Sequence, residues 1–524
     1  MISTLDQPFL MDTPELQSIL REISLPFKIE IKEGGNGFNF VQGSLRSQSK
    51  KDIIEIEAIP IEKFGDTGFR KTYGVRCAFY AGAMANEIAS AEMVIALGKA
   101  GLMGSFGSAG MVRSKLKTVV DQIQSELPNG PYAFNLIHSP NEEALESNAV
   151  DVFLQKGIHI VEASAYLDLT PSIVYYRVVG LRKTSDGGVE ITNRVIAKLS
   201  RQEVATKFMQ PAPDSILDKL ISERKITREQ ADLARLVPMA DDITVEGDSG
   251  GHTDNRPLIC LLPTMLALRD QIQEKYHYPV PVRVGAAGGI STPSSVLGAF
   301  MMGAAYVVTG SVNQACIESG ASPHTKKLLA EAGIADTAMA PSADMFEMGV
   351  KVQVLKRGTL FPMRAQKLYE IYTHFDSIEQ IPAEEHAKLE KQIFQRDMES
   401  IWQDTAKFFT ERDPAQIERA KNSPKRKMAL IFRWYLGLSS RWSNIGEPGR
   451  EMDYQIWCGP SMGSFNDWTK LTYLSDPLNR HVVDVTMHLF TGAAYHYRIQ
   501  LLKMLGFRLS SKLEQYYPLS PLTG

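Results

Sequence analysis

From Gly74 onward the chain alternates short apolar runs with amphipathic segments, and this rhythm restricts it to an α/β architecture. The runs VRCAFY, LMGSFGS, PYAFNLI, IHIVEAS, IVYYRVVGL, RVIAKLS, ITVEGD, VPVRVG and AYVVTG suit buried strands. Between them, segments such as ASAEMVIALGKAG and NEEALESNAVDVFLQKG suit helices, with another helix at 293–303. Strands that alternate with helices pair in parallel, because a parallel neighbour needs a crossover long enough to hold a helix. A barrel of eight such strands fits between VRCAFY and AYVVTG within about 250 residues, the usual span of a (β/α)8 barrel. Nearly every run ends in glycine or small polar residues: YAGAM, GSFGSAG, FNLIHSP, GDSGGH, GAAGG, TGS. In a barrel these ends form one rim, where active sites sit.

The rest of the chain is arranged around that barrel, which is expected over residues 71–380. Residues 1–70 read as an N-terminal extension with β-strands: KIEIKEGGNGFNFVQG as a hairpin and DIIEIEAIPIE as a strand. A charged, helical insertion at about 206–240 exceeds an ordinary βα loop. Because it follows a strand's C-terminal end, it is expected to rise over the rim as a lid or docking element. After Gly320 the strand rhythm stops. Residues 381–524 are expected to form a separate C-terminal α-helical domain, with EEHAKLEKQIFQRDMESIWQDTAKFF as its clearest helix. All five tryptophans lie there. The basic run KNSPKRKMALIFRW reads first as a solvated helix start and second as a docking face for an acidic partner.

The pentapeptide GDSGG at 247–251 raises a different possibility, since it surrounds the nucleophilic serine of chymotrypsin-like proteases. That chemistry also needs a histidine base and an orienting aspartate. Upstream there are only His138 and His159, neither in an Ala-Ala-His-Cys setting. Here GDSGG follows a parallel strand in an alternating pattern from which two small β-barrels cannot be drawn. A net charge of −3 gives no reason to expect nucleic-acid binding. The four cysteines are scattered without a C-x-x-C pair, which suits a reducing compartment and argues against a zinc site. No stretch approaches 18 uninterrupted apolar residues and the N-terminus lacks a signal-peptide pattern, so a soluble, cytoplasmic protein off the membrane is expected.

The candidate chemistry lies on the rim. VRVGAAGGIST ends a strand in Gly288 and Gly289 and enters a helix; AAYVVTGSVNQ repeats the device with Thr309, Gly310 and Ser311. Such turns let a backbone approach a ligand closely, and N–H groups at a helix start favour phosphate. One pair alone would pass for a tight βα turn; two on consecutive final strands match the common phosphate site of barrel enzymes. No P-loop or strand-linked G-x-G-x-x-G competes. His252, after Gly250-Gly251, is a proton donor or polar clamp, or else a capped loop histidine. Lys198 stabilises negative charge or serves as a partnered structural lysine, and Asn135 offers amide hydrogen bonds or satisfies a turn. Glu246 and Asp248 lack further ligands at matched spacing, so no metal is expected.

Together GAMAN after the first strand, Asn135, Lys198, Gly250-Gly251-His252, Ala287-Gly288-Gly289 and Thr309-Gly310-Ser311 resemble the flavin-dependent nitronate monooxygenase and enoyl reductase superfamily. The stretches AGAMANEIAS, LMGSFGSAG, KLSRQEVATKFMQPAP, VPMADDITVEGDSGGHTDNRP and CGPSMGSFNDW resemble more closely the PfaD-type enoyl reductases, trans-acting partners of polyunsaturated fatty acid and polyketide synthases. The resemblance implies an FMN-binding (β/α)8 TIM barrel with a helical insertion and a C-terminal α-helical domain. It implies FMN phosphate on Gly288, Gly289, Thr309, Gly310 and Ser311, and the ring near Ala83 and Met84. Asn135 and Lys198 would meet the pyrimidine side, Gly250 and Gly251 would also bind the cofactor, and His252 would stand by the substrate face as the catalytic residue. NADPH would donate a hydride that reaches the β-carbon of an enoyl thioester carried on an acyl carrier protein, and His252 or water would protonate the α-carbon. A homodimer is compatible with this reading. The rivals are a nitronate monooxygenase, an inosinate-dehydrogenase-like enzyme and a structural synthase subunit that keeps flavin only for stability. The second needs a cysteine nucleophile just after the final glycines, whereas Cys316 stands six residues past Gly310.

Overall fold

Eight parallel strands close on themselves in chain order. They are β1 (Phe79–Ala81), β2 (Met103–Phe106), β3 (Ala133–Ile137), β4 (Ile160–Ser164), β5 (Arg194–Leu199), β6 (Asp242–Glu246), β7 (Arg283–Ala287) and β8 (Val307–Thr309). The structure is a computed structural model and describes residues 9–10, 12–31, 38–43, 53–140 and 143–523. Neighbours pair in register, as in Ile196↔Asp242 across β5–β6 and Ile196↔Glu162 across β5–β4. Because side chains alternate along a strand, every second residue points inward. Tyr80, Met103, Ala133, Ile196, Tyr306 and Val308 fill the interior as one apolar cluster, while Phe79, Phe134, Val161 and Ile243 belong to the core outside it.

The interior is layered. At the bottom Asp242 is fully buried and accepts from Arg283 Nε at 2.6 Å and Nη2 at 2.8 Å, and also from the Tyr73 hydroxyl. In the middle, Thr244 Oγ1 lies 2.9 Å from both the Tyr80 and the Tyr306 hydroxyls. The same inward parity carries Asn135, Glu162, Lys198 and Glu246 to the top layer, on four consecutive strands.

Several expectations need correction. The run IVYYRVVGL is a helix, α1 (Pro171–Val179), started by Thr170, whose hydroxyl accepts from Ile173 N. Both of its faces are covered, by the barrel and by later helices, so its apolar residues carry no helical period; removing it leaves the eight barrel strands. The insertion does not rise over the rim. Gln202–Met209 takes the crossover position, and Asp214–Ser222 and Arg228–Ala234 then pack beside α1. Gln230 Nε2 donates to the Val179 carbonyl at 3.1 Å, near the entry to β5 at the end opposite the active rim. Buried Arg177 donates to the carbonyls of Pro238 and Asn193 and to Asp241, fixing the segment there.

Strands also continue past Gly320. β9 (Thr337–Pro341) and β10 (Lys351–Leu355) pair antiparallel, and β10 pairs with the short strand Gly251–His252. The result is a three-stranded sheet above the barrel mouth. The long helix expected from Glu384 breaks after Phe394, where Gln395 adopts φ 55°, and resumes as Met398–Arg412.

Nor do the C-terminal helices stand apart. The helix Phe361–His374 covers the new sheet, and α3 (Pro424–Ile445) packs on that helix and reaches the rim, where Asn86 Nδ2 donates to Ser440 Oγ at 3.0 Å and Asn444 Nδ2 donates to the Asn86 carbonyl at 3.0 Å. α4 (Val482–Met504) lies on α2 (Pro293–Met301), with Phe490 ring to ring with Phe79 and Phe300. At its far end, buried Arg498 donates to the carbonyls of Ile19, Glu22, Ile23 and Leu25. The N-terminal strands Phe27–Ile31, Phe38–Gln42 and Ile53–Ile56 form an antiparallel sheet against that helix; the hairpin turn at 32–37 lies outside the described residues.

Candidate active site

Between the barrel mouth and this roof lies a cavity of about 290 Å³, close to the lower end of the usual size for small-molecule sites. It gathers every residue that the resemblance assigns to cofactor or substrate: Ala83, Met84, Asn135, Lys198, Gly250, Gly251, His252, Gly288, Gly289, Thr309, Gly310 and Ser311. Its walls also include Ile137, Leu145, Val352 and Leu436, and from the C-terminal part Ser440, Gln455 and Trp457.

The floor is polar. Lys198 Nζ stands 3.2 Å from Glu246 Oε1 and 3.9 Å from Glu162 Oε1. Burial pulls the Lys198 ammonium down, but the two carboxylates outweigh it and hold the pKa above the ordinary lysine value. Glu162 is fully buried; burial pushes its pKa above the ordinary glutamate range against the pull of Lys198. Its Oε2 accepts the Ala83 N–H at 2.8 Å, and its Oε1 has no hydrogen-bond partner among the described residues. Asn135 Nδ2 donates to the Glu162 carbonyl at 3.1 Å and to Ser164 Oγ at 2.8 Å, which fixes the orientation of its amide.

The roof carries His252. Backbone pairing with Val352 holds its main chain, and its Nε2 lies 3.2 Å from both Asp344 Oδ1 and Ser342 Oγ. Asp248 is a loop brace: its Oδ1 accepts from Asn255 Nδ2 at 2.9 Å and Gln353 Nε2 at 2.7 Å. Ser249 Oγ is buried with no hydrogen-bond partner among the described residues, so no base is in place to activate it. Cys316 is buried and its thiol is pushed up by that burial, which leaves no thiolate at the glycine turns.

Sequence reasoning missed Asp344 and Ser342 because they follow β9, a strand it did not recognise. It missed Glu162 although alternation along IHIVEAS places that residue inward beside Asn135. Trp457 and Gln455 carried no local signal; they arrive on a segment that runs beside β10, where Leu355 N donates to the Ile456 carbonyl at 2.8 Å.

The two glycine turns suit an anion. At Gly289 and Gly310 an added Cβ would meet no atom within 4 Å, so the space in front of both backbones is open. The start of α2 is closed off by its own capping box, since Thr292 Oγ1 accepts from Ser295 N and Ser295 Oγ accepts from Ser291 N and Thr292 N. Any phosphate here is therefore left to the turns themselves. Lys198, the open glycine backbones and the partly apolar wall fit a flavin in charge and kind.

Comparison with known proteins agrees with this architecture. Residues 71–404 match the nitronate monooxygenase family, and residues 375–454 match the inserted helical domain of [acyl-carrier-protein] S-malonyltransferase. The chain is 50% identical over 455 residues to a polyunsaturated fatty acid synthase subunit of Thraustochytrium sp., covering 86% of this chain and 30% of that protein. It is 45% identical over 445 residues to the polyketide biosynthesis protein PksE of Bacillus subtilis, covering 84% of this chain and 58% of that one. The chain thus spans less than two thirds of either relative. Among solved structures, the enoyl reductase domain of MlnA from the macrolactin biosynthesis cluster of Bacillus amyloliquefaciens is 38% identical, with a TM-score of 0.80 over 84% of this chain and 100% of that one. The chain belongs to the nitronate monooxygenase family, alongside its polyunsaturated fatty acid and polyketide synthase relatives.

Proposed function

We propose that this chain is an FMN-dependent enoyl reductase that uses NAD(P)H to saturate the α,β double bond of enoyl thioesters carried on an acyl carrier protein. The observation that carries the reading is the placement of His252 across one cavity from the paired glycine turns and Lys198. The likeness to the MlnA enoyl reductase domain supports it. Gly288, Gly289, Thr309, Gly310 and Ser311 would hold the phosphate, Ala83 and Met84 the ring, and Asn135 and Lys198 its polar edge. FMN, when bound, supplies the hydride chemistry. Lys198 holds a positive charge at the barrel mouth that favours an electron-rich cofactor state. The roof from Gly251–His252, β10 and Trp457 limits water, and His252 brings a proton to the substrate face. The acyl carrier protein would deliver the thioester to the rim.

The test is the purified chain with an enoyl acyl-carrier-protein substrate, NADPH and mass analysis of the product. The expected result is one FMN per chain and a product heavier by two hydrogens. Rapid turnover of alkyl nitronates with oxygen, with no response to enoyl thioesters, would instead place the chain with monooxygenases.

A further inference from the structure

His252 has two ring nitrogens, and their surroundings decide what each can do. Nε2 faces only acceptors. Asp344, when ionised, offers no proton. The Ser342 hydroxyl donates its hydrogen to Asp344 Oδ1, which leaves only a lone pair toward the ring. A histidine nitrogen set 3.2 Å from two such oxygens must carry a hydrogen in both the neutral and the charged ring. Nδ1 is then the one nitrogen whose protonation changes.

Resting on the enoyl reductase reading, we propose that Asp344, braced by Ser342, is a positioning residue that holds His252 with Nε2–H on the carboxylate and Nδ1–H toward the substrate α-carbon. With a bound flavin supplying hydride drawn from NAD(P)H, the β-carbon would accept that hydride and the π pair would move through the α-carbon onto the thioester oxygen. The enolate pair then re-forms the carbonyl, and the α-carbon takes the proton from Nδ1, whose N–H pair returns to the imidazole. The ring is left neutral with Nε2–H in place, and water restores the Nδ1 proton.

The charges around the ring agree. Burial pulls the His252 pKa down, but Asp344 outweighs it and holds the pKa above the ordinary histidine value; Lys198 from β5 opposes and Glu246 from β6 assists. Burial raises Asp344, yet His252 and Ser342 hold it well below the ordinary aspartate range. A raised histidine pKa keeps the proton-donating form populated to higher pH, and that form is lost as pH rises through the folded value.

The experiment is an NMR titration of the full chain carrying labelled histidine, with the His252 signal assigned by its loss in His252→Ala. In the wild type the midpoint should lie above about 6.5, and the neutral ring should be the Nε2–H tautomer. Asp344→Asn should lower the midpoint by about one pH unit or more. It should shift the alkaline limb of enoyl-driven flavin reoxidation by the same amount, and by more than any shift in reduction by NADPH. Asp344→Glu should restore part of the shift. If Asp344→Asn does not fold, Ser342→Ala provides the same readout with a smaller displacement. An unmoved midpoint together with an unmoved profile overturns the proposal. A midpoint that moves as described, with no reaction of any enoyl thioester, leaves the His252–Asp344 pair standing and rejects the substrate assignment instead.

Discussion

The adjacent glycines 288 and 289 separate two quantities that a single substitution usually confuses, fold stability and cofactor retention. Both have left-handed backbones, at φ +80° and +78°. A methyl at Gly289 meets nothing within 4 Å, so Gly289→Ala carries only the conformational cost of about 1–2 kcal/mol. A methyl at Gly288 would lie 2.7 Å from the Gly247 carbonyl carbon and 2.9 Å from its nitrogen and oxygen. These are backbone atoms at the end of β6 and cannot rotate away, so overpacking of about 1–3 kcal/mol adds to the strain. Flavin-free Gly288→Ala should therefore unfold at a clearly lower temperature or denaturant concentration than flavin-free Gly289→Ala. Retention should differ in kind. Gly289→Ala puts its methyl into the space assigned to the phosphate and should lose FMN while staying folded. Gly289→Asp, which sets a carboxylate against a dianion, should lose it entirely. Thermal melts and released-flavin absorbance measure the two effects separately. Full FMN occupancy in Gly289→Asp would show that the phosphate lies elsewhere, and equal melting of the two alanine variants would refute the Gly247 contact.

Two further outcomes follow from buried groups. Asp242→Ala leaves the Arg283 guanidinium at the barrel bottom without its carboxylate and should cost about 3–5 kcal/mol; a loss below about 1 kcal/mol in urea unfolding would mean that the pair contributes little. Ser249→Ala removes a hydroxyl that has no partner among the described residues, so it should keep most NADPH-dependent activity, and fluorophosphonate probes should not label the wild type. Stoichiometric labelling at Ser249 would revive a hydrolase.

The barrel was legible because its signal is periodic and local: eight apolar runs, each ending in small residues, need no distant information. The glycine turns and Gly250-Gly251-His252 were legible for the same reason. What failed were features set by tertiary surroundings. Helix α1 is enclosed on both faces, so Ile173, Val174, Tyr176 and Val178 are all buried and the run reads as a strand. The insertion was placed by topology, from the end of β5, yet Arg177 and Gln230 tie it to the opposite side. Asp344 was illegible because its importance depends on a sheet formed from three separate parts of the chain.

That sheet also explains GDSGG, whose glycines in a protease would surround a nucleophile. Here a Cβ at Gly250 would lie 2.9 Å from Cys458 N and 3.0 Å from Cys458 C, and one at Gly459 would lie 2.8 Å from Gly250 N. The two segments touch backbone to backbone, and neither tolerates a side chain at the contact. Gln353 Nε2 closes the arrangement by donating to the Ser249 carbonyl at 2.7 Å. From the other side of the contact, Gly459 N donates to Ser311 Oγ at 3.1 Å, at the second glycine turn. One short stretch of the C-terminal part therefore braces the His252 loop and the final barrel turn together. A barrel with the same rim residues but without residues 455–461 would leave that loop unsupported. The C-terminal chain is in this sense part of the candidate site, and the pentapeptide's small residues serve packing at a junction rather than an oxyanion hole.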